Sequence, residues 1–284
     1  MRFALEVWSS RFEQVEATCR LAESLGLDAF YYGESPHDLN LDCWTTLGAL
    51  ANATERINLG PVITNVLPTY RSTVLLAKQA ATVAAVSKGR LDFRTGVGAA
   101  AAFGRPWWEP FAIQYADYDQ RFSDLETALG DLQRWWSGPK IPLTIAARGR
   151  RAMGLAAEHG DVWETSFCTP TEFQEQNDQM MEVLDGREIA RSLEIDAFVA
   201  TTKPGLDQLL RQVTSERGSE EDLPAILDRA LVGTPEDAAG RMVELASIGV
   251  DQVTIALHDP HDIDALEAIS EAANIVRQHQ MNSG

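Results

Sequence analysis

The chain has 284 residues, 45% hydrophobic and 23% charged, which is the composition of a soluble globular protein with a sizeable core. Lys and Arg number 24 against 42 Asp and Glu, and the formal net charge of −18 argues against nucleic acid and anionic membranes as partners. Cys19, Cys43 and Cys168 lack metal-ligand spacing, so we expect reduced thiols, no metal site and a cytoplasmic protein. The N-terminus has no signal-peptide pattern, and no apolar run reaches membrane-spanning length.

Strand and helix patterns alternate along the chain. The strand candidates are short apolar runs bounded by Gly, Pro and polar residues. They span residues 2–7, 27–32, 57–64, 90–95, 142–146, 161–165, 195–201 and 250–257. The helix candidates carry apolar residues at helical spacing. They span residues 12–25, 41–53, 70–85, 118–136, 150–159, 170–190, 235–248 and 263–279.

Eight such repeats at this length favour a (β/α)8 TIM barrel, an α/β fold, over an open doubly wound sheet, which stays the alternative. Neither a linker nor a low-complexity tract divides the chain, so residues 1–284 are expected to form a single domain. Insertions are expected in the carboxyl-end loops, above all in the long irregular stretch after Gly96. Ligands of parallel barrels bind at that end of the strands, so functional residues are expected there.

The first candidate site follows the fifth strand, where residues 146–151 are Ala-Ala-Arg-Gly-Arg-Arg and lead into a helix. Free backbone N–H groups and the helix dipole favour an anion at a helix start. Three arginines at this point of an acidic chain suit a phosphate. The alternative is a solvated basic patch.

Two further sets of residues follow predicted strands. Glu34 and His37 combine a carboxylate and an imidazole, which are candidates for proton transfer near neutral pH, with a structural or surface role as the alternative. Aromatic side chains near the strand ends predict either the wall of a pocket for a flat apolar ligand or core beneath a long loop. These are Trp8, Trp44, Trp107 and Trp108.

Several segments together resemble the luciferase-like flavin-dependent oxidoreductases of the bacterial luciferase superfamily. Residues 42–60 are DCWTTLGALANATERINLG, and residues 77–82 are AKQAAT. SKGRLD at 87–92 and GVG at 96–98 follow, with LVGTPED at 231–237 near the end of the chain. The resemblance covers most of the chain and is weakest from about residue 167 to residue 228.

The resemblance implies a TIM-barrel enzyme that binds a reduced flavin or deazaflavin. It implies a cofactor phosphate at the loop of Ala147, Arg148, Gly149 and Arg150, and the flavin ring near the end of the third strand. The residues implied around the ring are Val62, Ile63, Thr64, Asn65, Gly96 and Gly98. Deazaflavin-using relatives have a non-prolyl cis peptide in a segment like residues 60–65, so a cis bond between Val62 and Ile63 is predicted.

Two departures from the family pattern concern the candidate acid and base. The family often has Glu-His-His after the second strand, where this chain has Glu-Ser-Pro-His at residues 34–37. It often has Arg-His-Pro at the start of the third helix, where this chain has Tyr-Arg-Ser at residues 70–72. Glu34 and His37 are therefore carried as candidates for the catalytic role.

The first functional prediction is a two-component monooxygenase, in which FMN reduced by a separate flavin reductase acts with oxygen on a small organic substrate. The alternative is hydride transfer with the 8-hydroxy-5-deazaflavin coenzyme, which the segment at residues 60–65 favours. A non-catalytic flavin-binding protein and a barrel enzyme without flavin also stay open. The resemblance further implies a homodimer.

Overall fold

The computed structural model describes residues 1–36, 41–136, 138–217 and 223–283. Parallel strands and α-helices alternate along them. The strands are β1 (Arg2–Val7), β2 (Ala29–Gly33), β3 (Asn58–Val62), β4 (Thr64–Asn65), β5 (Phe93–Gly96), β6 (Leu143–Ala146), β7 (Val162–Ser166), β8 (Ala190–Val199), β9 (Leu231–Gly233) and β10 (Gln252–Leu257). The helices are α1 (Phe12–Ser24), α2 (Cys43–Ala53), α3 (Thr73–Val86), α4 (Ala101–Trp108), α5 (Tyr118–Trp135), α6 (Arg150–His159), α7 (Pro170–Leu184), α8 (Lys203–Arg217), α9 (Leu223–Asp228), α10 (Pro235–Ser247) and α11 (Ile263–Ser283).

The strands form one parallel sheet in the order β3-β2-β1-β10-β8-β7-β6-β5-β4. The two ends of the sheet meet at β5 and close it into a barrel. Strands β3 and β4 are the two halves of the predicted third strand, and both lie beside β5. The Leu59 N–H donates to the Arg90 carbonyl and the Asp92 N–H donates to the Leu59 carbonyl, each at 2.8 Å. Thr64 pairs with Thr95 further along. The predicted TIM-barrel fold is confirmed.

The third strand is divided by Ile63, and the peptide bond between Val62 and Ile63 is cis, as predicted. Before the division the strand approaches its neighbour closely. A Cβ atom at Gly60 would lie 2.2 Å from the Asp92 carbonyl oxygen. Only glycine fits between these two strands of the barrel without a shift of the backbone.

Two helix predictions need correction. The stretch after Gly96, which was predicted to be irregular, contains α4 and then a 3-10 helix at Glu109–Phe111. The sixth predicted helix was placed too far along the chain, to residue 190. It ends at Leu184, because Asp185 and Gly186 both have positive φ angles, and residue 190 already begins β8.

Helices α8 and α9 lie in a polar part of the chain, between the seventh predicted strand and the predicted helix at 235–248, where no helix was predicted. Too few of their side chains are apolar to give a clear helical period. Val213 of α8 and Ile226 of α9 nevertheless pack in a small cluster with Phe198 and Ala230. Strand β9 follows and pairs with the end of β8 outside the main ring. This cluster therefore covers one side of β8.

The main core lies between the ring of strands and the surrounding helices. Along β1, Phe3 and Leu5 face outward and pack into this core, whereas Ala4 and Glu6 alternate with them and face into the barrel. All three cysteines are buried and free. Within the described part of the chain, no helix combines the length and the apolar character that a membrane crossing requires.

Candidate active site

A cavity of about 1030 Å³ opens at the carboxyl ends of the strands, where ligands bind in barrels of this kind. Residues from many different strand ends line it. Those predicted from the sequence are Trp8, Glu34, Val62, Ile63, Asn65, Gly98, Trp107, Trp108, Ala147 and Arg148. The structure therefore brings most of the predicted residues to one place. The predicted His37 lies outside the described residues.

Glu34 lies at the cavity wall beside the third strand, and only 3% of its surface is exposed. Its Oε2 accepts hydrogen bonds from the Thr64 hydroxyl at 2.6 Å and from the Asn65 N–H at 2.9 Å. Its two carboxylate oxygens also bind the Arg71 guanidinium, at 2.7 and 3.0 Å. Glu34 thus holds the backbone next to the cis bond in place. Its predicted role as a catalytic acid or base stays a prediction.

Three predicted residues support the cavity from behind and do not line it. The Trp44 indole donates to the Thr64 hydroxyl at 2.9 Å, and its ring is buried with its centroid 5.8 Å from that of Phe93. Thr64 is fully buried between Trp44 and Glu34. Gly96 packs closely, since a Cβ atom there would lie 2.7 Å from the Ala146 carbonyl oxygen. Trp44 therefore belongs to the core, which was the alternative for the aromatic residues.

The loop after β5 is fixed by an arginine and an aromatic ring. Gly98 has a positive φ of 83°, and a Cβ atom there would lie 2.6 Å from the Tyr115 hydroxyl. That hydroxyl donates to the Ala99 carbonyl at 2.8 Å, and Arg121 donates to the same carbonyl at 2.9 Å. Trp108 is buried beside Tyr115. Trp108 anchors the loop, while Trp8 and Trp107 are partly exposed at the cavity.

The loop after β6 joins the cavity wall to the start of α6. Helix α6 begins at Arg150, and its N-cap Gly149 has no side chain to bind the first N–H groups. Arg148 lies on the cavity wall. The Arg150 guanidinium instead pairs with Glu182 at 2.7 Å, and Arg151 pairs with Asp119. Helix N–H groups and one guanidinium are donors that fit the phosphate of a flavin-type cofactor.

A buried ion pair lies at the floor of the cavity, inside the barrel. Arg94 Nη2 lies 2.6 and 2.7 Å from the two carboxylate oxygens of Glu164, and both side chains are almost completely buried. The Arg94 guanidinium stacks 3.8 Å from the centre of the Tyr31 ring. The hydroxyls of Ser192 and Thr254 donate to Glu164 Oε2 at 2.7 and 3.1 Å. Polar side chains therefore occupy barrel positions where branched apolar residues are usual.

Two further carboxyl groups, those of Glu6 and Glu194, line the cavity above this pair. Glu6 Oε1 accepts a hydrogen bond from the Trp8 indole at 2.6 Å, and the Glu6 and Glu194 carboxyl groups are within hydrogen-bonding reach of each other. Burial raises the pKa of Glu6, and burial together with the nearby Glu6 carboxylate raises the pKa of Glu194 well above its usual value. Burial and the closeness of the two carboxyl groups both favour the protonated form of Glu194.

These floor residues were missed by the sequence analysis. Glu6, Arg94 and Glu164 each occur within a short strand, where a charged side chain is unusual, whereas Glu194 lies in the ten-residue strand β8, just before the strand predicted at residues 195–201. Each of the four side chains faces the barrel interior. A charged residue within a buried strand was therefore the sequence signal that could have indicated them. The sequence alone does not show that these four positions meet at the floor of one cavity.

The chain resembles known oxidoreductases over most of its length. Residues 4–252 match the family model of the luciferase-like monooxygenases. The 5,10-methylenetetrahydromethanopterin reductase of Archaeoglobus fulgidus is 25% identical, with 89% of this chain and 92% of that protein covered.

Two solved structures share the barrel fold with this chain. An F420-dependent secondary alcohol dehydrogenase has a TM-score of 0.82 at 15% identity, with 97% of this chain and 99% of that chain covered. The EDTA monooxygenase of Chelativorans sp. BNC1 has a TM-score of 0.80 at 13% identity, with 99% and 94% covered. Together with the family match, these findings identify this protein as an oxidoreductase that uses a flavin-type cofactor and belongs to the luciferase-like monooxygenase family.

Proposed function

We propose that this protein transfers a hydride between the 8-hydroxy-5-deazaflavin coenzyme, F420, and a small organic substrate. The observation that carries the proposal is the pair of carboxyl groups, Glu6 and Glu194, that line the floor of the cavity, where burial raises the pKa of both. Hydride transfer at a C–O or C–N bond is accompanied by proton transfer, so a positioned carboxyl group assists it. Oxygen chemistry on a reduced flavin instead depends on keeping water out of the site.

The residues around the cavity have separate parts in this proposal. The N–H groups at the start of α6 and the Arg148 guanidinium bind the coenzyme's phosphate. Ile63 and Asn65 form the wall beside its ring, and Trp8 at the rim excludes water. When bound, the coenzyme supplies or takes up the hydride. The solved F420-dependent alcohol dehydrogenase, which has the same fold, adds support for this cofactor.

The second candidate is a monooxygenase that uses reduced FMN, supplied by a separate flavin reductase. One observation favours it. Arg150 and Arg151 are paired with the carboxylates of Glu182 and Asp119, so Arg148 alone of the three arginines lines the cavity. One guanidinium at a helix start matches the single phosphate of FMN better than a polyanionic tail.

The test is a titration without oxygen, with reduced F420 and reduced FMN in separate experiments. We expect a lower dissociation constant for reduced F420, and no increase in oxygen uptake when the complex is exposed to air. Tighter binding of reduced FMN, with oxygen uptake faster than that of free reduced FMN, contradicts the proposal and supports the monooxygenase.

A further inference from the structure

We infer that Trp8 is a specificity-determining residue, on which a flat, uncharged aromatic ring of the substrate stacks. The inference deepens the proposed function and rests on it only in taking the stacked ring as part of the substrate.

The Trp8 side chain, directly after β1, is held at two points. Its indole N–H donates to Glu6 Oε1 at 2.6 Å. A Cβ atom at Gly33, the last residue of β2, would lie 2.2, 2.3 and 2.4 Å from Cδ2, Cε3 and Cε2 of the Trp8 ring. Nearly equal distances to three adjacent ring atoms mean that a face of the ring, and not its edge, covers Gly33. The glycine therefore leaves the space in which this ring lies.

The other face of the Trp8 ring is the accessible one. Trp8 is 38% exposed and lines the cavity. Because the ring is fixed in orientation before a ligand binds, little conformational entropy is lost when a second ring stacks on it. Aromatic rings attract one another in offset-stacked arrangements, beyond the effect of the area that they bury. Trp8 is therefore a preformed surface for a flat ring.

This surface is distinct from the parts of the cavity assigned to the coenzyme. The ring wall of Ile63 and Asn65 belongs to the third strand, and the phosphate donors follow β6. Strand β1 is separated from the third strand by β2, and from β6 by β10, β8 and β7. The cavity volume of about 1030 Å³ is at the upper limit of the roughly 300–1,000 Å³ that ligand pockets span, which leaves room for a second molecule. Trp8 therefore borders the part of the cavity left to the substrate.

Helix α4 adds aromatic side chains to the same cavity. Phe103 is 68% exposed and Trp107 is 41% exposed, and both line the cavity. Exposed aromatic side chains gathered at a cavity are typical of a binding site for an apolar ligand. Arg105 of α4 also lines the cavity, but it pairs with Glu109 at 3.5 Å, so its charge is offset locally. These walls favour an uncharged aromatic substrate over a charged one.

The experiment compares two alcohols with the same carbon skeleton, the flat 2-naphthol and its saturated analogue 2-decalol. Their dissociation constants for the full chain are measured by calorimetry at neutral pH, with and without F420. Because 2-decalol is no less apolar than 2-naphthol, burial alone gives 2-naphthol no advantage. We expect 2-naphthol to bind roughly three- to tenfold more tightly, which is the factor that one stacked aromatic pair contributes.

Trp8→Leu should reduce this preference to about twofold or less, whereas Trp8→Phe, which keeps a ring, should retain part of it. Trp135→Leu is the matched control and should keep the preference. Trp135 at the end of α5 is 39% exposed and is not among the described residues that line the cavity. Circular dichroism melts confirm that the variants are folded. Equal or tighter binding of 2-decalol, no binding of 2-naphthol, or an unchanged preference in folded Trp8→Leu overturns the inference.

The F420 titration separates this inference from the proposed function. F420 binding without a preference for 2-naphthol leaves hydride transfer standing and removes the stacking site. A preference that depends on Trp8, without F420 binding, supports the stacking site and contradicts the proposed cofactor.

Discussion

Arg71 and Glu34 form a two-point ion pair, with Nη1–Oε1 and Nη2–Oε2 distances of 2.7 and 3.0 Å and at most 5% of either side chain exposed. Glu34 directly follows β2, and Arg71 lies just before α3. The pair therefore joins a strand end to a helix start. Since Glu34 also accepts from the Asn65 N–H, the pair fixes the wall of the cavity beside Ile63.

The Arg71→Met variant should lower the free energy of unfolding by about 3–5 kcal/mol, because it leaves the Glu34 carboxylate buried without its cation. Unfolding in urea measures this loss. The double variant with Glu34→Gln should lose less than Arg71→Met alone, since neither charge then stays buried.

The exposed pair of Arg20 and Glu16 on α1 is the control, and Arg20→Ala should cost only about 0.3–0.5 kcal/mol. Equal losses in Arg71→Met and Arg20→Ala would show that the buried pair is not needed.

The stability of the fold should fall as the pH rises above about 4.5, the ordinary value of a glutamate, because the pKa values of Glu6 and Glu194 are raised in the folded state. In that range the folded chain binds more protons than the unfolded chain, so the free energy of unfolding decreases with pH. Glu6→Gln and Glu194→Gln should remove part of this decrease. Each variant should be more stable than the wild type at about pH 8, with the difference shrinking toward about pH 5.

Thermal melts of both variants across this range provide the measurement, with Glu13→Gln on the exposed face of α1 as the control. A stability difference that is constant with pH would mean that the two carboxyl groups titrate alike in the folded and unfolded chains.

Arg148→Ala should weaken binding of the flavin-type cofactor by roughly 1–3 kcal/mol, through loss of one charge-assisted hydrogen bond to its phosphate. Arg150→Ala should have a smaller effect, because that guanidinium already pairs with Glu182 away from the cavity. Dissociation constants from titration with reduced cofactor measure both effects, with Arg20→Ala as the control. A larger effect at Arg150 than at Arg148 would place the phosphate on the outer side of the loop.

Gly60→Ala should destabilise the protein by about 1–3 kcal/mol or more, because the new methyl group overlaps the Asp92 carbonyl where the ring of strands closes. Gly48→Ala is the matched control. Gly48 lies within α2 with open space around it, so alanine should stabilise the helix by about 0.5–1 kcal/mol. Urea unfolding of both variants is the measurement. An unchanged free energy of unfolding in Gly60→Ala would mean that the strands move apart there without loss of stability.

Much of the architecture was predictable because it depends on local patterns. The period of apolar residues determines each strand and helix, and Gly or Pro marks their ends, so eight repeats indicated the barrel. The same order predicted which loops meet at the carboxyl ends, and the loop of Arg148 does line the cavity. The cis bond at Val62 was predicted only through the family resemblance, since no local pattern of these residues specifies it.

The sequence by itself thus determined the barrel and the end of it that carries the site. The tertiary structure decided which side chains face the cavity. The Trp44 side chain packs into the core, and the Arg150 guanidinium points outward and pairs with Glu182. Both residues nevertheless follow strands, as the cavity residues do. Glu6 and Glu194 come from β1 and β8, which are far apart in the chain and meet because both strands pair with β10. Their raised pKa values follow from burial and from that proximity, which no local pattern contains.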